Sequence, residues 1–211
     1  VDRRGQIWVG TNVGVNVITV SDPTRPQISK IPLFAVRNQT VTSIAVDPLD
    51  NKWIGTQQGV FVLSPDGLQL IDQYNSKNSP IPNDEIQSIT IDPKKGIVYI
   101  GTDYGLAVLQ TISIQPQQNF GSLFIYPNPL LVQEGESNSV LIDGLIRNSS
   151  IRILSISGDL IRDLKSPGGK IAFWDGTDSE NKLVPTGIYI IVAYDEEANN
   201  VTTAKVAVIR K

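Results

Sequence analysis

The side chains that could do chemistry in this 211-residue chain are carboxylates and basic groups, because the sequence contains no His and no Cys. Their absence excludes an imidazole base, a thiolate nucleophile, a zinc finger and a disulfide. Asp175, Asp178 and Glu180 share one predicted turn and carry the oxygen ligands that calcium prefers. Their spacing does not match an EF-hand, and a hairpin between Trp174 and Leu183 explains the same residues. Composition alone leaves a Ser-Lys dyad open, but no motif supports one, so we predict no catalytic, cofactor or metal site.

Four basic residues fall on or beside two neighbouring predicted strands and could form a modest anion-binding face: Arg152, Arg162, Lys165 and Lys170. An ordinary solvated sheet surface is the alternative, and we favour it. The whole chain carries 18 basic and 21 acidic residues, a net charge of −3, with no block of like charge. We therefore expect no nucleic-acid partner. The longest apolar run, Ile188 to Tyr194, is far too short to span a bilayer, so we predict no transmembrane segment.

The elements that must position these residues begin with a repeat in the first half. The pattern aromatic, aliphatic, Gly, Thr, two variable residues, Gly, aliphatic occurs at 8–15, 53–60 and 99–106, at intervals of about 45 residues. An acidic turn precedes each copy, at Asp2, Asp47-Pro48 and Asp92-Pro93. Alternating apolar residues around the second copy predict strands at 41–46, 52–56, 60–64 and 68–74. Four short antiparallel strands per period are typical of a β-propeller blade.

Each recurring residue of the repeat has a predicted structural task. The first glycine, at 10, 55 and 101, suits a close approach between neighbouring blades, and the second, at 14, 59 and 105, suits a hairpin position with positive φ. The aromatic at 8, 53 and 99 is expected to pack between blades. Two and a half blades cannot close a ring. We therefore expect residues 1–112 to be the C-terminal blades of a longer propeller, whose remainder would be their partner.

The second half predicts a different unit. A polar linker is expected at 113–122, followed by an immunoglobulin-like β-sandwich at 123–211. Seven strands are predicted, at 123–126, 139–142, 150–156, 160–164, 170–174, 187–194 and 201–209. Turns rich in Gly, Asp and Asn separate them, among them Pro167-Gly168-Gly169. The strand containing Ile188 to Tyr194 is apolar on both faces and should be central in its sheet. The fold class is therefore all-β, a partial propeller followed by a sandwich.

The repeats resemble the two-component-regulator type of propeller repeat, which is common in surface and sensor proteins of the Bacteroidota. The resemblance rests on the acidic turn followed by Trp-[Val/Ile]-Gly-Thr-x-x-Gly, and on residues 78–86, which are similar to that family's connector between blades. The first copy departs from the pattern at Arg3-Arg4 and carries an insertion-like segment at 23–32. The resemblance implies a propeller and gives no site residue.

The second half resembles the C-terminal domain of type IX secretion substrates. Five motifs occur in the expected order, at 126–129, 158–161, 174–176, 183–189 and 205–208. The resemblance implies a folded export signal read by the outer-membrane translocon, with these signal residues: Tyr126, Pro127, Asn128, Pro129, Gly187, Tyr189 and Lys205. The alternative is an accessory sandwich with a structural role only. In it the two prolines fix the incoming chain, Gly187 makes a hairpin turn, and Tyr189 fills the core with its hydroxyl at the rim.

A propeller of this type that ends in such a domain resembles the PorZ-type accessory proteins of type IX secretion. The resemblance implies a non-enzymatic protein at the outer-membrane cell surface, associated with the PorU-type sortase complex and recognising anionic lipopolysaccharide. The alternative is a secreted propeller, glycan-binding or glycan-degrading, whose terminal domain is cleaved off at export. A third hypothesis, the periplasmic sensor of a hybrid two-component system, would require a membrane helix after the sandwich, which we do not expect.

Overall fold

The structure is a computed structural model that describes residues 1–166 and 168–211. Pro167, the first residue of the predicted Pro167-Gly168-Gly169 turn, lies outside the described residues. Every regular element in the described part of the chain is a strand. Those residues contain no helix long and apolar enough to cross a membrane. The chain divides into two compact units, Val1–Ser113 and Ile114–Lys211.

The first unit consists of three successive antiparallel sheets, which are the predicted blades. The first blade has the strand order β1-β2-β3, the second β4-β5-β6-β7 and the third β10-β9-β8. The strands are β1 Ile7–Thr11, β2 Gly14–Thr19, β3 Gln27–Lys30, β4 Val41–Val46, β5 Lys52–Thr56, β6 Gly59–Leu63, β7 Leu70–Tyr74, β8 Ile86–Asp92, β9 Ile97–Thr102 and β10 Gly105–Gln110. The four predicted strands of the second blade match β4 to β7 within two residues at each end.

The two inner strands of the second blade are buried because another blade lies on each side of it. All residues of β5 and β6 are buried. Trp8 of the first blade belongs to the same apolar cluster as Phe61, whereas Trp53 belongs to the cluster that contains Ile86 and Val98 of the third blade. The recurring tryptophans thus pack between blades, as predicted.

Two glycines of the repeat are required by the geometry. A Cβ on Gly55 would lie 2.8 Å from Ile86 Cγ2 of the next blade and 2.3 Å from Ser43 Oγ. Gly59 has φ +105°, and a Cβ there would lie 2.3 Å from the Tyr74 carbonyl oxygen. The first glycine therefore permits close approach between blades, and the second permits the β5–β6 turn.

The second unit is a sandwich of two sheets, with strand orders β11-β13-β16 and β12-β18-β17-β14-β15. Its strands are β11 Phe124–Tyr126, β12 Leu130–Val132, β13 Val140–Asp143, β14 Ser150–Ser155, β15 Leu160–Lys165, β16 Ile171–Trp174, β17 Gly187–Tyr194 and β18 Val201–Arg210. Both sheets contribute to one core, in which Trp174 and Ile191 are fully buried. Strand β17 is the middle strand of the larger sheet, as predicted. The all-β prediction of a partial propeller followed by an immunoglobulin-like sandwich is confirmed.

Three local features differ from the sequence-based expectation. The strand Leu130–Val132, which pairs in parallel with β18, was not predicted. Gly187 does not make a hairpin turn, because it is the first residue of β17 and pairs with Val208. The boundary between units follows Ser113.

The segment 114–122, predicted as part of a linker, is attached to the sandwich. Lys170 N donates to the Ile114 carbonyl at 3.0 Å, and Gln117 N donates to the Leu145 carbonyl at 3.0 Å. Phe120 packs against the sandwich core. Backbone hydrogen bonds and an apolar anchor therefore order residues that look like a polar tether in the sequence.

Candidate functional site

The densest group of charged side chains in the described residues surrounds Lys52, where the first two blades meet. Lys52 Nζ lies 3.2 Å from Asp2 Oδ2 and 3.1 Å from Asp50 Oδ2, and its side chain is fully buried. It also donates to the carbonyls of Asp50 at 2.7 Å and Pro65 at 2.8 Å. The ammonium sits 4.9 Å from the centre of the Trp8 ring. Because its three protons already have more than three acceptors, Lys52 has no capacity left for a substrate.

The Asp2 carboxylate is likewise occupied by hydrogen bonds from protein groups. Its carboxylate accepts from Trp8 Nε1 at 3.0 Å and from the Gln6 backbone N–H at 2.9 Å. Burial pushes the pKa of Asp2 upward, but those hydrogen bonds and the Lys52 ammonium outweigh burial and hold the pKa below its usual range. Asp2 is therefore an ionised structural group rather than a general acid.

The second blade repeats this pairing of an acidic turn with a tryptophan. Asp47 Oδ2 accepts from Trp53 Nε1 at 3.1 Å, while its Oδ1 accepts from the backbone N–H groups of Leu49 and Asn51. The sequence signal that could have revealed this contact is an Asp six residues before each Trp of the repeat, as in Asp2 and Trp8 and in Asp47 and Trp53. In the third copy the Asp92 carboxylate accepts from the N–H groups of Lys94 and Lys95.

The export-signal residues predicted by resemblance meet partly at the edge of the larger sandwich sheet. The peptide bonds Tyr126-Pro127 and Asn128-Pro129 are both cis. Between them, the Asn128 amide donates to the Lys205 carbonyl at 3.0 Å and accepts from Ala207 N at 3.0 Å. Since neither proline has an N–H, the Asn128 side chain supplies the pairing to β18 before β12 continues it. The Lys205 side chain is exposed.

Tyr189 and Gly187 lie on β17, next to β18. Tyr189 is 6% exposed, its ring meets the Trp174 ring edge-on at 5.5 Å, and its hydroxyl donates to the Pro185 carbonyl at 2.8 Å. Burial raises the pKa of the Tyr189 hydroxyl. Tyr189 is therefore a core residue whose hydroxyl is hydrogen-bonded, whereas the Tyr126 side chain on β11 is 63% exposed.

The four basic candidates are not brought together into one anion site. Arg152 pairs with Asp163 at 3.1 Å and lies over the Tyr194 ring. Arg162 donates to Thr177 Oγ1 and to the Asp178 carbonyl, and Lys170 Nζ lies 2.8 Å from Asp143. Lys165 is exposed at the end of β15. Three of the four charges already have protein partners, which leaves little free positive charge for an anion.

The acids of the 175–182 turn also serve the backbone. Asp175 Oδ1 accepts from the N–H and hydroxyl of Thr177, and Asp178 Oδ1 accepts from the N–H groups of Glu180 and Lys182. Those contacts lower the pKa of Asp178: the N–H of Lys182 is the largest contributor, and only slight burial opposes it. Among the described residues, no group of three or more acidic side chains is placed to share a metal ion. The hairpin interpretation accounts for these residues.

The concave regions of the sandwich include a polar cleft and an apolar groove. A polar cleft of about 620 Å³ contains Glu134, Glu136, Lys182 and Arg210, in which Arg210 pairs with Glu134 at 3.0 Å. An apolar groove of about 430 Å³ lies on the outer face of the larger sheet, lined by Arg152, Leu154, Leu160, Gly158, Val192, Tyr194, Ala198 and Val201. The cationic side chains that line these two regions have carboxylate partners: Arg210 pairs with Glu134, Lys182 with Glu180 and Arg152 with Asp163.

Sequence reasoning missed a row of exposed aromatic rings on the smaller sheet. Phe124 and Tyr126 on β11 are 62% and 63% exposed, and Phe173 on β16 is 45% exposed. The Phe124 and Tyr126 rings are 6.5 Å apart and nearly parallel, at 8°. The available signal was the alternation along β11 and β16, which puts these aromatics opposite the core side.

Comparison with known proteins gives structural similarity and no sequence-level assignment. No family model matches the chain, and no curated protein sequence matches it. Among solved structures, PorZ of Porphyromonas gingivalis, described as an essential bacterial surface component of the type IX secretion system, is similar over 100% of this chain, with 28% identity and a TM-score of 0.66. The match covers 30% of the PorZ chain, so this chain spans less than a third of that protein.

Two extracellular domains from B. thetaiotaomicron also match at lower similarity. The first, from a proposed one-component system, has 16% identity, a TM-score of 0.40 and coverage of 99% of this chain and 30% of its own. The second, from a proposed hybrid two-component system, has 14% identity, a TM-score of 0.42 and coverage of 100% and 31%. The PorZ match combines a TM-score of 0.66 with 28% identity, and it covers both units of this chain.

Proposed function

We propose that the chain is part of a non-enzymatic cell-surface component of the type IX secretion system, which assists the sortase in attaching cargo to anionic lipopolysaccharide. The observation that carries this proposal is the similarity to PorZ over the full length of the chain, at a TM-score of 0.66 and 28% identity. A propeller fragment and a terminal sandwich occur in one chain and match together, which is stronger support than similarity of either common fold alone.

The chemistry of the described residues supports a role without catalysis. The buried charges around Lys52 are saturated by one another and by carbonyl groups. The acids of the 175–182 turn bind backbone N–H groups. Catalytic acids and bases need a pKa tuned toward neutrality and a free face toward substrate, and the pKa values of Asp2 and Asp178 are instead lowered.

The third blade supports the proposal that the remainder of the propeller covers this unit. Strands β2 and β6 each pair with an outer strand, β3 and β7, whereas among described residues β10 pairs only with β9. On β10, Leu106 is 61% and Val108 is 52% exposed, while the equivalent Val60 and Val62 on β6 are 0% and 3% exposed. Exposed apolar residues on an unpaired strand edge are the surface that a further strand and a neighbouring blade would bury.

The first experiment is mass spectrometry of the native protein from the cell surface of the source bacterium. We expect one polypeptide much heavier than the 23.0 kDa of this chain that still contains peptides from 124–211. A native mass near 23.0 kDa would contradict the longer-propeller proposal. If the mature protein lacks 124–211, the terminal domain is cleaved, and the alternative of a secreted glycan-binding or glycan-degrading cargo replaces the accessory role.

The second experiment tests the link to the sortase. Deleting the gene should leave other secreted cargo unanchored and still carrying its terminal domain, and the epitope-tagged protein should co-purify with the sortase and the translocon. A matched control strain carries the full gene with Phe34→Ala, because Phe34 is 86% exposed and is not part of the apolar clusters of the first unit. Normal cargo anchoring in the deletion strain would refute the proposed function.

A further inference from the structure

The outer face of the small sandwich sheet carries a cluster that we name the aromatic face, formed by Phe124, Tyr126, Leu141 and Phe173. Tyr126, Leu141 and Phe173 are direct neighbours across β11, β13 and β16. Two strand spacings separate Tyr126 from Phe173, which is about 9.5 Å. Phe124 extends the face along β11, with its ring 6.5 Å from that of Tyr126. The result is an exposed set of rings on a sheet that is three strands wide.

Packing within the sandwich does not account for these rings. The aromatic residues that stabilise the core, Trp174 and Tyr189, are 0% and 6% exposed, whereas the three aromatic residues of the face are 45% to 63% exposed. Large apolar side chains grouped on a surface mark a binding region more often than single ones do. Tyr126 is also the one predicted signal residue whose ring is neither buried nor hydrogen-bonded in the described structure.

The side chains beside the aromatic face are polar and form an ion pair with each other. Asp143 is the cross-strand partner of Phe124, and its carboxylate lies 2.8 Å from Lys170 Nζ. The Asp143 side chain is 27% exposed and the Lys170 side chain is 31% exposed. An ion pair of this kind offers a carboxylate acceptor and an ammonium donor to hydroxyl groups without presenting a net charge. Flat rings with such a polar border suit a ligand that has both C–H faces and hydroxyl edges.

We propose that the aromatic face binds a polysaccharide by stacking its pyranose rings on Tyr126, Phe173 and Phe124, with hydroxyl contacts to the Asp143–Lys170 pair. A pyranose ring presents C–H groups to the negative face of an aromatic ring. The distance from Tyr126 to Phe173 is close to the length of one disaccharide repeat, so the two aromatic rings can stack on the first and third sugars of one polysaccharide chain. Stacking also explains how this sandwich could hold a glycan although three of its four candidate cations are already paired.

This inference deepens the proposed function and rests on it for the choice of glycan, because it names where the sugar portion of lipopolysaccharide would lie. The test is affinity electrophoresis of the full 211-residue chain. The native gels contain polysaccharide released by mild acid from the outer-membrane lipopolysaccharide of the source bacterium. Parallel gels contain dextran, and a separate arm uses vesicles of the lipid portion, so that sugar and lipid recognition are distinguished.

The variants separate ring stacking from general apolar contact. Tyr126→Ala and Phe173→Ala should each weaken polysaccharide binding about threefold to tenfold, which is the range expected for one stacked ring. Tyr126→Phe should bind like wild type, whereas Tyr126→Leu, which is apolar without a ring, should bind like the alanine variant. Phe34→Ala, the matched control in the other unit, should leave binding unchanged. Circular dichroism checks that each variant is folded, as expected for exposed side chains.

Three outcomes would overturn the inference. Wild type that is not retarded by the polysaccharide, binding confined to the lipid vesicles, or equal binding by wild type and both alanine variants would each remove the aromatic face as a glycan site. Loss of self-association in the alanine variants without loss of polysaccharide binding would assign the face to a second copy of the chain. Failure here is distinguishable from failure of the proposed function, because cargo anchoring in the deletion strain is measured independently.

Discussion

Replacing Lys52 with Met should destabilise the first unit strongly and leave the sandwich unaffected. The substitution keeps most of the side-chain volume but removes two buried ion pairs and two hydrogen bonds to carbonyl groups. Asp2 and Asp50 would then lie buried without their cation. Breaking a buried pair by removing one partner costs about 3 to 5 kcal/mol, which is a large part of the roughly 5 to 15 kcal/mol that holds a typical domain together.

Hydrogen exchange followed by mass spectrometry measures this loss in each unit separately. Peptides that cover β1 and β5 should exchange with an opening free energy lower by about 3 to 5 kcal/mol, while peptides from β14 and β17 should be unchanged and serve as an internal reference. Lys30→Met is the matched control, because Lys30 lies on β3, whose four residues are all exposed. We expect it to alter the opening free energy by less than about 0.5 kcal/mol.

A double-mutant cycle decides whether the effect comes from the contact between blades. If Asp2 and Lys52 interact across the first two blades, Asp2→Asn and Lys52→Met together should cost less than the sum of the single changes, by at least about 1 kcal/mol. Replacing Asp2 and Asp50 by Asn in the Lys52→Met variant should recover part of the stability, since an uncharged buried group needs no counterion. A single-variant cost below about 1 kcal/mol, or strict additivity, would refute the view that this cluster joins the blades.

Three further predictions concern the first unit. Gly59→Ala should destabilise it well beyond Gly5→Ala when both are unfolded in urea, because both positions have positive φ but only the Gly59 Cβ would meet a backbone oxygen, at 2.3 Å. Burial and the hydrogen bond to Asp72 raise the pKa of Tyr74 to about 12. The stability of the folded state should therefore fall as pH rises from 10.0 through about 12. Tyr74→Phe should abolish this loss of stability and the ultraviolet absorbance change that accompanies ionisation of the hydroxyl. Burial raises the pKa of Asp2, but its hydrogen bonds and Lys52 lower that pKa by more than burial raises it. The contribution of Asp2 to folded-state stability should therefore be present above pH 3.8 and be lost as pH falls below that value. Acid unfolding, monitored by tryptophan fluorescence, should be less steep in Asp2→Asn.

The features that could be predicted from sequence are those in which residue types recur at a fixed spacing along the chain. The repeat at 8–15, 53–60 and 99–106 predicted blades because strand alternation, turn glycines and interblade tryptophans recur at fixed positions, and the strand limits of the second blade differ from prediction by at most two residues. The structural alternative for the second half placed Tyr189 in the core with its hydroxyl at the rim, and in the structure the hydroxyl of the buried Tyr189 donates to the Pro185 carbonyl.

The features that were missed depend on partners distant in sequence. Strand β12 has three residues and exists because Leu130 to Val132 pair with Val208 to Arg210 near the other end of the unit. Lys52 gave no signal of burial, since one of its two carboxylate partners, Asp2, lies in another blade. Two candidates for the anion face, Arg152 and Lys170, pair with carboxylates on neighbouring strands of their own sheets, and the sequence does not show these pairs. Pairing across strands is determined by register, which composition does not reveal.

The distribution of satisfied and unsatisfied groups in the sandwich bears on how such a protein would recognise a partner. Its charged side chains are mainly paired with one another, as in Arg152 with Asp163 and Lys170 with Asp143, so their attraction for a charged ligand is weak and screened by salt. Its aromatic rings on β11, in contrast, stack on each other and are more than 60% exposed, at 62% for Phe124 and 63% for Tyr126. Binding through those rings would change little with ionic strength, whereas binding through an anion site would weaken steeply as salt is added. Measuring the affinity for the released polysaccharide at low and high salt therefore separates the two modes of recognition without any substitution.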